Sequence, residues 1–433
     1  MKKNVSILLI FSIILTLSAC TNPNSIYTNT GSKDANSNAQ ANIVSTTNVT
    51  EPTPTPNEPD TVDLSNPDNT PDTIPETVDS WKQIYADFLE NDMDEITGYA
   101  DDNWYEDWTF GFIYLNGDDI PELVLSTGYE AGGNIILTIV NGKVDYIRTA
   151  RLGFYYDEYN NILINHDGHM GMYYDIVFSI SEDGFELIKD GEFYELIDEE
   201  LESPIGFEYY LDGEEVSVDE YLAVINSYIP QSERKHWSSG STYKSIMEYL
   251  TGKNYATYKE AYKSVAEDML GEEKVHFALV DSDPTPYLIL DNDDWTYVYY
   301  YQDGVAFRGE SFYGFSSDNR LYPETGTTCY YYLSDDEVTE IFYIYTTDMG
   351  STYFSYTSRH GEYAENGDYK KDKNGNYILT YSVNGDTVSK EEYEEYLKQF
   401  DGEEYIPLIP CSAPENDYYE YYTPEEMYDL LGE

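Results

Sequence analysis

The chain has 433 residues, of which 83 are Asp or Glu and only 23 are Lys or Arg, so its formal net charge at pH 7 is −60. This excess of acid argues against direct binding to nucleic acid or to an anionic membrane surface, because both carry phosphate groups. The length allows two or three domains. There are three cysteines, which excludes a disulfide scaffold.

The first twenty residues have the pattern of an export signal. A short basic start precedes an apolar run over residues 5–17, which is too short to span a bilayer as a mature helix. The run ends in Leu17-Ser18-Ala19-Cys20.

This ending resembles the lipobox of bacterial lipoproteins. The resemblance implies that residues 1–19 are a signal peptide that is removed, and that Cys20 carries the lipid. Two acyl chains anchor stably, so the protein would be held on the extracytoplasmic face of the cell membrane. The alternative is an ordinary secretory signal with a chance cysteine at the cleavage site.

Residues 20–80 are predicted to be a linker. They are rich in Asn, Thr, Pro, Ser and Asp and show no apolar periodicity. Such a segment buries too little apolar surface to offset the entropy lost on ordering. The prediction is therefore a tether that lifts a folded body away from the membrane.

The folded part contains one pattern of local signals twice, in residues 212–221 and 384–393. Each copy starts with an Asx-Gly turn and continues with a helix capping box, at Ser217 and at Ser389. We therefore predict two tandem repeat units, residues 81–252 and 255–433. Each unit would be an antiparallel β-meander flanked by helices, and the fold class α+β.

Within the units, paired segments follow the same order. A helix is predicted at residue 81 and another at residue 258. Strands are predicted at 110–115 and 121–125 in the first unit, and at 277–280 and 286–290 in the second. Asn-Gly and Asp-Gly pairs between apolar runs indicate hairpins.

The loop before each second strand resembles the calcium-binding loops of exported bacterial proteins, in which alternate carboxylates converge on one cation. In the first unit the pattern keeps Asp118 and Glu122, and in the second it keeps Asp281 and Asp283. The resemblance implies calcium at these residues. Because the pattern is eroded in both loops, the sequence itself predicts a plain turn between two core strands, without a cofactor, and calcium is the alternative.

Three other groups of residues are candidates for sites. His166 and His169 flank an Asp-Gly pair, which predicts a tight turn and, as the alternative, a metal or acid–base site. The acidic run 291–294 is predicted to be a solvated turn. Cys329 and Cys411 would lie outside the reducing cytoplasm, so they can form a disulfide or remain as free thiols.

No nucleophile motif and no phosphate-binding glycine loop occurs in the sequence. The sequence therefore predicts a membrane-anchored surface lipoprotein whose ectodomain is a binding or structural module. Its partners would be the membrane, through the N-terminal lipid, and a cell-wall glycan or another surface protein. The alternative is an exported hydrolase that cleaves glycan with two carboxylates.

Overall fold

The computed structural model describes residues 80–93, 96, 108–198, 203–282, 284–292, 294–313, 319–334, 338–362, 364, 369–400, 404–408, 411 and 420–432. The predicted signal peptide, Cys20 and all of the predicted linker except Ser80 lie outside these residues. None of the described helices is long and apolar enough to cross a membrane.

The predicted fold class is wrong. Strands make up 48% of the structure and helices 22%, so the protein is largely β. The strands form three sheets, of which one has fourteen strands contributed by both halves of the chain. The two predicted helix-flanked meanders are therefore not separate bodies. Hairpin turns in a sequence show which strands pair locally, but they do not show which sheet edges join.

Each half of the chain begins with a helix on a small four-stranded antiparallel sheet. The elements of the first half are α1 (Ser80–Asn91), β1 (Thr109–Ile113), β2 (Glu122–Ser126), β3 (Asn134–Val140) and β4 (Lys143–Arg148). Those of the second half are α4 (Tyr258–Asp268), β12 (His276–Val280), β13 (Tyr287–Asp291), β14 (Trp295–Gln302) and β15 (Val305–Tyr313). The strands predicted at these places are confirmed.

A buried tyrosine attaches each of these helices to its sheet in the same way. The Tyr85 hydroxyl donates to the Pro121 carbonyl oxygen at 3.0 Å. The Tyr262 hydroxyl donates to the Pro286 carbonyl oxygen at 2.7 Å. Each tyrosine buries its ring and satisfies its hydroxyl on the backbone at the start of the second strand, which fixes the helix on the sheet.

The large sheet contains the remaining strands. From the first half come β5 (Phe154–Asp157), β6 (Ile162–His169), β7 (Met172–Ser181), β8 (Gly184–Asp198), β9 (Ser203–Leu211), β10 (Glu214–Val216) and β11 (Lys235–Gly240). From the second half come β16 (Asn319–Tyr322), β17 (Thr327–Leu333), β18 (Glu340–Asp348), β19 (Ser351–Gly361), β20 (Leu379–Val383), β21 (Asp386–Val388) and β22 (Ile406–Pro407).

The strand order of the first half recurs in the second. The first runs β10-β9-β8-β7-β6-β5-β11, and the second runs β21-β20-β19-β18-β17-β16-β22. The two runs join at β19, whose start pairs with β11 (Gly240 opposite Ser351) and whose end pairs with β20 (Gly361 opposite Leu379). The long strand β19 therefore pairs with both β11 and β20 along the same edge, and this makes the sheet continuous.

Both predicted N-caps are confirmed, but of the two predicted capping boxes only the one at Ser389 is complete. The described residues contain four further α-helices: α2 (Val218–Tyr228), α3 (Tyr243–Leu250), α5 (Lys390–Leu397) and α6 (Pro424–Gly432). The Ser217 hydroxyl accepts from the Glu220 amide at the start of α2. The Ser389 hydroxyl accepts from the Glu392 amide at the start of α5, and the Glu392 carboxylate accepts from the Ser389 amide, which completes the box.

The contact between β1 and β11 leaves no room for a side chain at Gly240. A β-carbon there would lie 2.5–2.6 Å from the oxygen, carbon and nitrogen of Phe110. We expect Gly240→Ala to destabilise the fold by about 1–3 kcal/mol, because backbone atoms cannot rotate away as side chains can. The measurement is the urea midpoint, with Gly117→Ala as control, since a β-carbon at Gly117 meets nothing within 4 Å. Equal midpoints would contradict this packing.

Candidate functional site

The loop that resembles a calcium site is closed by its own hydrogen bonds. The Asp118 carboxylate accepts from the Ile120 amide at 2.9 Å and from the Asn116 side-chain amide at 3.0 Å. These are the bonds of an Asx turn, in which a short polar side chain stabilises the reversal of the chain.

Glu122 points away from solvent, into the sheet. It is 1% exposed, and its carboxyl accepts from the Leu115 amide at 2.8 Å and from the Thr138 hydroxyl at 3.2 Å. Burial raises the pKa of Glu122 to about 8, which its hydrogen bonds only partly offset. The group therefore holds its proton at neutral pH, a state in which a carboxyl is a poor ligand for a hard cation.

Only one of the two candidate acids of the second loop lies within the described residues. Asp281 is exposed, and Asp283 lies outside the described residues. In the acidic run, Asp291 is completely buried and accepts from the Cys411 amide. No group of three or more His, Cys, Asp and Glu side chains in the described ranges is arranged to hold a metal ion. Calcium at the two loops stays a prediction.

The two cysteines of the second half differ in burial. Cys329 is buried in β17, and Cys411 is half-buried in the C-terminal arm. Burial raises the pKa of the Cys329 thiol, so it is an unreactive group. The disulfide between them stays a prediction.

The predicted turn at His166 and His169 lies further along the chain. Both residues belong to β6, and the reversal is made by Met170 and Gly171, which have φ values of 54° and 81°. Residues three apart in a strand point to opposite faces, so the two imidazoles are separated. The Asp-Gly signal was misleading because Gly168 is part of the strand.

His166 instead belongs to a polar cluster under α2, in which Asp175 and Tyr221 are buried and the imidazole is exposed. Its Nδ1 atom lies 2.6 Å from Asp175 Oδ1, and the Tyr221 hydroxyl donates to Asp175 Oδ2 at 2.7 Å. Desolvation acts to lower the pKa of His166, but the charge and hydrogen bond of Asp175 raise it overall. Burial lowers the pKa of the nearby His236 to about 4. This cluster holds α2 on the sheet.

The corresponding place in the second half is an open pocket, which we call the aromatic pocket. It lies between β16–β18 on one side and α5, Phe400 and Tyr405 on the other, and it has a volume of about 310 Å³. Its lining residues are Arg320, Tyr322, Tyr331, Glu340, Phe342, Tyr393, Leu397, Phe400 and Tyr405. The size is at the lower end of the range for small-molecule sites.

The floor of the aromatic pocket is apolar. Phe342 and Phe400 pack edge to face with ring centroids 5.0 Å apart, and Tyr322 lies 5.3 Å from Phe400. Tyr322 and Phe342 are 3% and 4% exposed, so these rings are fixed in the core. Tyr405 forms the rim and is 43% exposed, which leaves one aromatic surface accessible to a ligand.

Among the described lining residues of the aromatic pocket, one is a carboxylate, and it is held by three donors. Glu340 accepts from the Tyr331 hydroxyl at 2.9 Å and from the Tyr393 hydroxyl at 3.1 Å. The Arg359 guanidinium lies 3.3 Å from it. Its charge is thus compensated and its orientation set by strands on both sides.

The other charged group of the aromatic pocket is Arg320. Its guanidinium lies 4.5 Å from the Tyr331 ring centroid and 4.6 Å from that of Tyr405, so it is held between two aromatic rings. Its Nε atom is buried and has no hydrogen-bond partner. Among the described residues, no carboxylate lies within 4.0 Å of it.

The register shows how the first half fills this place. In β5, Tyr155 pairs with Ile164 of β6, and at the equivalent position of β16, Arg320 pairs with Cys329 of β17. Tyr155 is completely buried. In the first half, Tyr173 of β7 pairs with Phe193 of β8, and their ring centroids are 4.8 Å apart. At the equivalent positions of β18 and β19, the second half has Glu340 paired with Arg359. Aromatic side chains thus occupy in one half the positions that carry charge in the other.

The aromatic pocket was not found from the sequence. The one signal that pointed to it was an arginine in a tyrosine-rich strand region of a strongly acidic chain. Comparison with known protein families, with curated proteins and with solved structures gives no match to this chain. The fold and the site thus define its class only as a largely β protein with a fourteen-stranded sheet and one aromatic-lined pocket among the described residues.

Proposed function

We propose that this protein is a lipoprotein of the extracytoplasmic membrane face whose folded part binds a ligand in the aromatic pocket. The proposed location at the membrane rests on the lipobox at Cys20. The binding role rests on one observation: a preformed concave site with an apolar floor and two oriented charged groups, Glu340 and Arg320. Convergent polar groups on an aromatic floor are the usual composition of a binding site.

A glycan hydrolase has less support. That chemistry needs two carboxyl groups on opposite sides of the bond to be cleaved. In the described lining of the aromatic pocket, Glu340 is the single carboxylate, and its oxygens are occupied by three donors. Such an arrangement suits a positioning group better than an acid or a base. We therefore propose binding without turnover, with a cell-wall glycan or a surface protein as the source of the ligand.

Binding in the aromatic pocket is tested with Tyr405→Ala. The full chain in detergent is titrated with solubilised cell-wall glycan fragments by calorimetry. We expect the variant to bind about tenfold more weakly, because it loses the accessible ring at the rim. Tyr332→Ala is the matched control, since Tyr332 is 42% exposed against 43% for Tyr405 but does not line the pocket. Equal losses in both variants, or turnover of the fragments, would contradict the proposal.

The proposed membrane location is tested with Cys20→Ala. We expect the variant to leave the membrane fraction and appear in the soluble fraction, because the acyl chains that anchor the protein have no attachment site. Immunoblots of the two fractions measure this, with Cys411→Ala as control. A Cys20→Ala variant that stays with the membrane would refute lipid anchoring at this residue.

A further inference from the structure

Arg320 is one of several described cations that have no carboxylate within ion-pair distance, although the chain has a net charge of −60. Nine described Lys and Arg side chains have a carboxylate within ion-pair distance, including Arg359 beside this one. Arg320 lines a pocket and has no such partner among the described residues. Its described polar neighbour is the hydroxyl of Tyr322. A half-buried cation without a counter-ion is a costly arrangement, and an anionic ligand would complete it.

The two flanking rings determine which atoms of Arg320 can bind. The Arg320 guanidinium lies over two rings, those of Tyr331 and Tyr405. It can donate only in its own plane, through a fork of N–H groups that matches the two oxygens of a carboxylate. Since side-chain entropy is already lost in the stack, little more is lost on binding.

Glu340 does not prevent an anion from binding here. Its charge is balanced by Arg359, and two phenol hydroxyls donate to it. Together, Arg320, Arg359 and Glu340 leave one positive charge at the site. The positive charge is local, because the chain as a whole would repel anions at long range.

A simple anion would leave the rest of the aromatic pocket unused. The floor of Phe342 and Phe400 and the exposed ring of Tyr405 require a ligand with an apolar face next to its charge. The pyranose ring of an acidic sugar has such a face, and its carboxylate lies at the edge of the ring. Aromatic side chains provide both apolar contact and a hydroxyl for this kind of ligand.

We propose that the aromatic pocket binds an acidic sugar, with the carboxylate on Arg320 and the sugar ring against Tyr405. This specifies the ligand class of the proposed binding function and rests on it. The ligand is a glycan that contains uronic acid. A neutral glycan with the same rings binds more weakly, because it leaves the Arg320 guanidinium without a carboxylate.

The test compares tetragalacturonate with neutral galactotetraose, by calorimetry on the full chain in detergent. We expect the acidic oligomer to bind about tenfold or more tightly than the neutral one, the ratio for a lost charge-assisted pair. Arg320→Gln is expected to abolish this preference. Arg308→Gln is the matched control, because Arg308 also lies over a tyrosine ring, Tyr297 at 5.3 Å, but is outside the pocket.

The outcomes separate this inference from the proposed function. Equal binding of both oligomers, weakened by Tyr405→Ala but not by Arg320→Gln, would overturn the acidic-sugar inference and leave the binding function intact. Failure of both oligomers and of wall fragments to bind would overturn both. The preference of the unmodified protein needs no variant, so it decides the question even if Arg320→Gln does not fold. Acetate is included, and binding of acetate as tight as that of tetragalacturonate would overturn the role of the sugar ring.

Discussion

Replacing Phe112 with alanine is expected to lower the free energy of unfolding by about 3–5 kcal/mol, the range for removing a large aromatic ring from a core. Phe112 is 1% exposed, and its ring packs edge-on against Trp81 at a centroid distance of 5.7 Å. The same core cluster contains Val305 and Phe307 from the second half of the chain. We therefore expect both halves to be destabilised together, in one transition.

Further contacts at this position tie the two halves to each other. The Phe112 carbonyl oxygen accepts from the Ser351 hydroxyl at 2.7 Å and from the Tyr353 hydroxyl at 3.0 Å. The indole nitrogen of Trp237 donates to Ser351 at 3.0 Å. Because these bonds use the backbone of Phe112 and not its ring, the alanine variant keeps them and isolates the effect of the cavity.

Urea unfolding, followed by tryptophan fluorescence and by far-UV circular dichroism, measures this effect. Coincident curves indicate a single cooperative transition. Phe207→Ala is the control, because Phe207 is 44% exposed in β9, and its loss is expected to cost less than about 1 kcal/mol. Two separate transitions, only one of which shifts in Phe112→Ala, would contradict the shared core.

Local structure could be predicted because its signals lie within a few residues. Ser217 and Ser389 cap helices where the capping boxes indicated. Asn141 and Asp303, each before a glycine, have the positive φ values of 53° and 49° that hairpin turns need. These features depend on the backbone conformations of a few adjacent residues, and the identities of those residues indicate these conformations directly.

The single large sheet could not be predicted because it depends on one pairing between distant strands. The bonds of β11 to β19 join residues more than a hundred positions apart. Alternation of apolar and polar residues shows which face of a strand is buried, but both edges of a strand look the same in a sequence. Two closed meanders and one continuous sheet therefore have the same pattern of residues.

The candidate site depended on long-range placement in the same way. The aromatic pocket combines residues from Arg320 to Tyr405, which come from three strands, a helix and a loop. The histidine pair drew attention because it is close in sequence, yet its members point to opposite faces of β6. Asp175, which binds one of them, comes from the next strand. Proximity along the chain was a poor guide to proximity in space.

The second large effect concerns Glu122 and depends on pH. The pKa of this buried carboxyl is raised from 4.5 to about 8. Between these values the unfolded chain releases the proton and the folded chain keeps it. The folded state therefore binds more protons, so its stability is greatest below the lower value and decreases as pH rises through the higher one. We expect Glu122 to make stability fall by about 1.4 kcal/mol per pH unit across this window.

Glu122→Gln is expected to remove this dependence, since a neutral amide can still accept from the Leu115 amide through its oxygen. The unfolding free energies of the two proteins are measured in urea from pH 5 to pH 9. Over this range, the variant should gain stability relative to the unmodified protein by on the order of 4 kcal/mol. Asp119→Asn is the control, because it removes an exposed carboxylate from the same loop and should leave the pH dependence unchanged. Parallel curves for the protein and for Glu122→Gln would mean that the carboxyl is ionised in the fold.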